Sequence, residues 1–217
     1  MVYEPFIVST KIIIWCFLLF ITFGVLIANY LATSTSKFKF LVDCLVTLPL
    51  IFPPIATGFF LLIFLGRNSF VGKFFAKMDV YFIFEFKSLV IAAFIAGIPL
   101  FVKPVQSSIE MFPKNIKEAS FLSGKSKFST LIFIIIPGIK KSILAALIIS
   151  LGRALGEVGI SLMLGGNIVG KTDTLSLAIY NAVFDGDYDL AMKLSLILVF
   201  VSVGLFVLLQ TTRRDDD

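Results

Sequence analysis

From Ile12 to Ala32 the chain carries no charged side chain, and the same holds from Cys44 to Gly66. A helix that crosses a membrane needs about 20 mostly apolar residues, each rising about 1.5 Å against a hydrocarbon core ~30 Å thick. Two such runs commit a chain of 217 residues to lipid. The composition agrees, with 58% hydrophobic residues, 15% charged residues and a mean hydropathy of +1.01. Soluble domains hold about 45–50% apolar and about 25% charged residues. The surplus excludes a disordered chain and, despite the net charge of +5, a basic nucleic-acid-binding protein. No His is present, which removes His-based acid–base catalysis, catalytic triads and most zinc sites. Cys16 and Cys44 both lie in apolar runs and define neither a disulfide framework nor a metal cluster. No catalytic residue, metal or cofactor is expected.

The pattern predicts an all-α polytopic membrane protein with about five transmembrane helices, forming one domain over residues 1–217. Ile12 to Ala32 is the first span, too long for the apolar core of a signal peptide, about 7–15 residues. Cys44 to Gly66 is the second. Pro49, Pro53 and Pro54 fall within it, and each removes a backbone donor and clashes with the preceding turn. A kink or break is expected near mid-membrane, where irregular backbone is tolerated only against protein or a water-filled cavity. Ser88 to Val102 is a short third span, Ser142 to Leu164 a fourth interrupted by Arg153 and Glu157, and Leu194 to Thr212 a fifth. Phe128 to Ile136 is too short to cross and is expected to stop at Pro137, and Thr174 to Phe184 is also too short.

Basic residues report orientation, because cytoplasmic loops carry the excess of Lys and Arg. With Lys103 to Lys141 placed inside, eleven of the 19 Lys and Arg residues fall on the cytoplasmic side and seven outside, Arg153 lying within a span. This predicts the N-terminus outside and the C-terminus inside. The outer face then balances seven basic residues against seven acids, and so exerts no net pull on a dianion.

The inner loop, about residues 106–137, holds the most specific pattern. Pro113 is suited to open a short helix and Gly124 to close it, since Gly accepts the left-handed conformation that helix ends often need. The result would be a short rod outside the membrane whose small face, Ala119 with Ser120, could sit in a partner's groove. An ordinary connector is the alternative on physical grounds. The run Glu118-Ala119-Ser120-Phe121-Leu122-Ser123-Gly124, followed by Ile134-Ile135-Ile136-Pro137, resembles the EAA loop of ABC-importer permeases. Ser120 stands for the third alanine and Ile136 for a leucine. The resemblance implies that Glu118, Ala119, Ser120, Gly124 and Pro137 couple the chain to an ATPase subunit through a coupling helix.

Further motifs extend the likeness over roughly residues 40 to 210. Leu48-Pro49-Leu50-Ile51-Phe52-Pro53-Pro54, with Gly58 and Gly66-Arg67 after it, is similar to the second span of molybdate (ModB-type) permeases, as are Gly152-Arg153-Ala154-Leu155-Gly156-Glu157-Val158-Gly159 and Gly166-Asn167-Ile168 with Thr174-Leu175-Ser176-Leu177-Ala178-Ile179-Tyr180. Tungstate permeases share much of this pattern, sulfate permeases some, and Gly165-Gly166 before Asn167 is slightly tungstate-like. The resemblance implies a type I ABC-importer (MetI-like) fold in a prokaryotic cytoplasmic (inner) membrane. It also implies a homodimer, two ATPase subunits and an extracytoplasmic oxyanion-binding protein, with transport by alternating access. That binding protein could dock near Asp185-Gly186-Asp187-Tyr188-Asp189. Pro53, Pro54, Gly58, Arg153, Gly156 and Glu157 are the candidate pathway residues. A secondary transporter driven by an ion gradient is the rival class, whereas an intramembrane enzyme lacks clustered reactive groups.

Two local patterns need separate reading. Gly165 to Thr172 satisfies the phosphate-loop pattern G-x-x-x-x-G-K-[ST], but it follows a span rather than a strand and is expected to be an outer loop. Arg153 and Glu157, four apart, can pair on one helical face. An intramembrane charge costs about 2.5–3.5 kcal/mol on insertion scales. Either the pair locks helices together, or Arg153 meets a passing oxyanion. Gly152 and Gly156 offer a small face for close helix approach.

Overall fold

The computed structural model describes residues 3–214, with side chains through residue 207; residues 1, 2 and 215–217 of the expected domain lie outside the described residues. Eleven helical segments follow one another: α1 Tyr3–Thr33, α2 Phe38–Ile51, α3 Pro54–Leu65, α4 Phe70–Ala76, α5 Phe86–Met111, α6 Lys114–Leu122, α7 Lys127–Gly138, α8 Lys140–Leu155, α9 Gly159–Gly165, α10 Leu175–Phe184 and α11 Tyr188–Arg214. No strand occurs among the described residues. Three helices (α1, α5 and α11) are long and apolar enough to cross a membrane, or up to five spans if each of two bent pairs counts once.

Helix α5 is the central post. Phe101, Val102, Val105 and Ile109 are fully buried along it. Phe20 of α1 stacks on Phe101 at 5.3 Å between ring centroids and tilts against Phe94 at 5.2 Å. Beside this contact α1 loosens into a π-helical turn, Phe20–Gly24, without breaking. Three helices converge at Gly97, where a Cβ would lie 2.6 Å from Phe20 Cζ and 2.9 Å from the Ser150 carbonyl oxygen of α8.

The third span is longer than expected from its flanking lysines. Lys103 does not end α5: lysine is a good helix former, and its ammonium pairs with Asp43 of α2. The helix continues through Pro104 to Met111 and stops where Phe112 turns extended before Pro113. The first span likewise runs past Lys11 to Tyr3.

One of the interruptions falls where expected and others do not. The proline-rich run breaks at Phe52–Pro53, near its middle, while Pro49 stays inside α2. Helix α3 then bends by 53° into α4. Pro137 does not stop the inner apolar stretch; it occupies the first turn of a final short segment, and the chain turns by 78° only at Ile139. Ser142 to Leu164 is not one helix, since Gly156, Glu157 and Val158 separate α8 from α9. Helix α10 is a ten-residue apolar element too short to span, as its length suggested.

Candidate functional site

The inner rod is α6. Pro113 occupies its N-terminal cap, and Ser123 ends it. Gly124 follows with φ +79°, and the Lys125 amide donates to the Ser120 carbonyl at 3.2 Å, closing the end as a left-handed cap. Glu118 and Ala119 are exposed, as are the apolar side chains of Phe121 (47%) and Leu122 (89%).

Ser120 does not join them. It is buried, and its hydroxyl lies 2.8 Å from Thr130 Oγ1 at the start of α7. Thr130 donates its own proton to the Ser126 carbonyl, so Ser120 must donate to Thr130. The expected small face is therefore corrected: Ser120 faces the protein, and the outward surface is built from Glu118, Ala119, Phe121 and Leu122. The cause is a hydroxyl partner ten residues downstream, which turns this side of the rod inward.

A second contact fixes the other end of α6. Lys117 Nζ donates to the Ile109 carbonyl at 2.6 Å and lies 5.8 Å above the Phe112 ring. Burial, and then the charge of Lys114, lowers its pKa from the ordinary lysine value. Phe112 in turn fills the space beside Gly138, where a Cβ would meet the ring at 2.5 Å. The rod is thus tied to the end of α5 and to both ends of α7. Sequence reasoning missed Lys117, Phe112 and Thr130; the serine in place of an alanine was the one available signal.

Deeper in the bundle, Arg153 and Glu157 do pair, at 2.8 Å, although Glu157 stands beyond the end of α8. Its other carboxylate oxygen accepts the Ile160 amide at 2.8 Å and so caps α9. Both carboxylate oxygens of a residue only 2% exposed are satisfied, the condition for burying a carboxylate. Pro54 opens α3 alongside, and a Cβ on Gly159 would meet Pro54 Cβ at 2.9 Å. A Cβ on Gly58 would sit 2.8 Å from Met163 Cβ and 3.0 Å from the Ile160 backbone. Two helix halves, α3 and α9, therefore pack backbone to backbone, bringing Pro53, Pro54, Gly58 and Glu157 into one region. Gly152 and Gly156 make no such approach: a Cβ on Gly152 would meet nothing within 4 Å, and one on Gly156 only ordinary contacts. Their expected role in close packing is not met within the chain.

The phosphate-loop pattern is a loop structure. Lys171 pairs with Glu85 at 2.6 Å, and Thr172 donates to the Gly165 carbonyl while accepting the Ile168 amide. Beside it Asp173 is buried, with Oδ1 unpartnered among the described residues. That burial, and then the nearby charge of Glu4, raises its pKa above the ordinary aspartate value.

Helices long and apolar enough to cross a membrane, bent or interrupted helix pairs beside them and a capped, exposed rod between two of them fit a multi-pass helical membrane protein. The chain belongs to the family described as binding-protein-dependent transport system inner membrane component, whose model it matches over residues 20–213. It is 37% identical over 177 residues to a probable transport system permease protein, NifC, of Clostridium pasteurianum, covering 82% of this chain and 62% of that one. It is 30% identical to a putative molybdenum transport system permease protein, YvgM, of Bacillus subtilis, covering 96% and 92% of the two chains. A sulfate transport system permease protein, CysT, of Escherichia coli is 27% identical over 87% of this chain and 68% of its own. The fold matches the crystal structure of a bacterial ABC transporter involved in the import of the acidic polysaccharide alginate, with a TM-score of 0.74 over 99% of this chain and 79% of that one, at 19% identity.

Proposed function

We propose that this chain is the permease subunit of an ATP-driven importer for a tetrahedral oxyanion, molybdate being the leading substrate. The single observation that carries the coupling mechanism is α6: a capped, exposed apolar rod braced from within by Ser120–Thr130 and Lys117–Ile109. A force applied at Phe121 and Leu122 reaches α5 and α7 directly, because both braces connect rigid elements. The names of the molybdenum permease relatives support the substrate, and the sulfate permease relative keeps sulfate as the alternative, with tungstate alongside.

In this reading two ATPase subunits grip the α6 rods of two copies of the chain, and an extracytoplasmic binding protein delivers the anion. The open side of α8 at Gly152 suits a second copy, since small residues let helices approach closely in lipid. Pro53, Pro54, Gly58, Arg153, Gly156 and Glu157 flank the pathway, where the interrupted helices supply backbone that can rearrange. The N-terminus lies outside and the C-terminus inside. Uptake of molybdate into vesicles containing the full assembly tests the substrate. Molybdate should outcompete sulfate, and uptake should stop when ATP is removed although the ion gradient persists. Uptake driven by the gradient alone would favour a secondary transporter instead.

A further inference from the structure

The outer end of the bundle holds a cavity of about 540 Å³ between the end of α3, the loop leading into α5, and the loop after α9. Its walls are mixed. Leu62, Leu65, Val80 and Ile83 supply apolar surface, while Arg67 and Lys171 bring positive charge. Lys171 is matched by Glu85. Arg67 has no carboxylate partner among the described residues; its guanidinium lies 4.3 Å above the Tyr81 ring, which leaves the N–H edge free to donate.

The surroundings say what kind of anion belongs there. Helix α4, which borders the cavity through Gly72, exposes Phe70 at 89% and Phe74 at 58%, with Lys73 and Lys77 exposed beside them. Aromatic rings next to basic side chains at the end of a span suit the headgroup level of a bilayer. The outer charges also separate along the chain. Four basic residues (Arg67, Lys73, Lys77 and Lys87) face only Asp79 and Glu85 in this segment, whereas Asp185, Asp187 and Asp189 sit together in a different turn.

We infer that this cavity binds an anionic phospholipid of the outer leaflet, its phosphate on the Arg67 guanidinium and the start of its acyl chains against Leu62 and Leu65. A water-soluble oxyanion would satisfy Arg67 but leave the apolar walls uncovered. The inference goes beyond the transport reading and rests on it only for the orientation, N-terminus outside, that puts this end of the bundle in the outer leaflet. It is tested on the purified full-length chain by native mass spectrometry after delipidation, with phosphatidylglycerol as the probe. The wild type should retain phosphatidylglycerol, and Arg67→Gln should lose about fivefold in occupancy, as expected for one cation removed from a lipid surface. Arg67→Lys should fall between them, and circular dichroism should confirm that all three fold. Equal retention by Arg67→Gln would overturn the inference. So would full displacement of the lipid by millimolar glycerol phosphate, which would make the cavity a site for soluble anions.

Discussion

Ser120 and Thr130 form a directional pair, and that direction has a measurable consequence. Ser120 donates and Thr130 accepts, while Thr130 passes its own proton to Ser126. Ser120→Ala therefore removes a donor and leaves Thr130 satisfied, at a cost of about 1 kcal/mol. Thr130→Val strands a buried Ser120 hydroxyl, at about 1–3 kcal/mol. Denaturation of the purified variants should rank Thr130→Val below Ser120→Ala; the opposite order would contradict the assignment. Asp173 makes a second prediction. Its pKa is raised by burial and by Glu4, so the folded state holds the proton more tightly than the unfolded chain. That favourable contribution is complete below the ordinary aspartate pKa and is lost as pH rises through the elevated value. Asp173→Asn should then flatten the pH dependence of melting and raise the melting temperature at neutral pH by a few degrees. A lower neutral melting temperature would mean that the carboxylate is needed there as a charge. Neither side chain's environment was legible in the sequence, because both depend on residues brought in from other elements.

At the scale of the element, local chemistry was a better guide. Pro113 and Gly124 mark the ends of α6 because a proline and a left-handed glycine act within one turn. Gly124 has open space around it, so a side chain there meets backbone strain of roughly 1–2 kcal/mol rather than a clash. Gly124→Asp should insert into the membrane normally yet lose transport, read as ATP hydrolysis without uptake; normal uptake would sink the coupling role of this end of the rod. Gly58 is the opposite case, with Met163 and the Ile160 backbone in the way of any side chain. Gly58→Leu should cost about 1–3 kcal/mol by overpacking α3 against α9, visible as a lowered melting temperature. The prolines correctly announced a break in the second span. The break between α8 and α9 was not anticipated, because Arg153 and Glu157 read as an ordinary helical pair. In the fold Glu157 also caps the next helix, and one carboxylate serves both ends of the interruption.

For the whole molecule, the decisive matter is which surfaces remain open once the bundle closes. The outward surface of α6 makes Leu122, not Ser120, the position to crosslink: a photoreactive group at Leu122 should capture an ATPase subunit in intact cells, and one at Ser120 should not. Capture at Ser120 alone would reverse the orientation assigned to the rod. Lipid solvation, an all-helical architecture, spans interrupted by proline and a capped rod between them could all be derived from residue order. Each follows from rules acting over a turn or over the thickness of a bilayer. How the Lys103 charge is matched, which way Ser120 points, how Glu157 serves two helices and why Arg67 faces a cavity were decided by tertiary structure alone. In each case the partner comes from another element, Asp43, Thr130, Ile160 and Tyr81 respectively, and only packing brings such groups within the few ångströms over which hydrogen bonds and charges act.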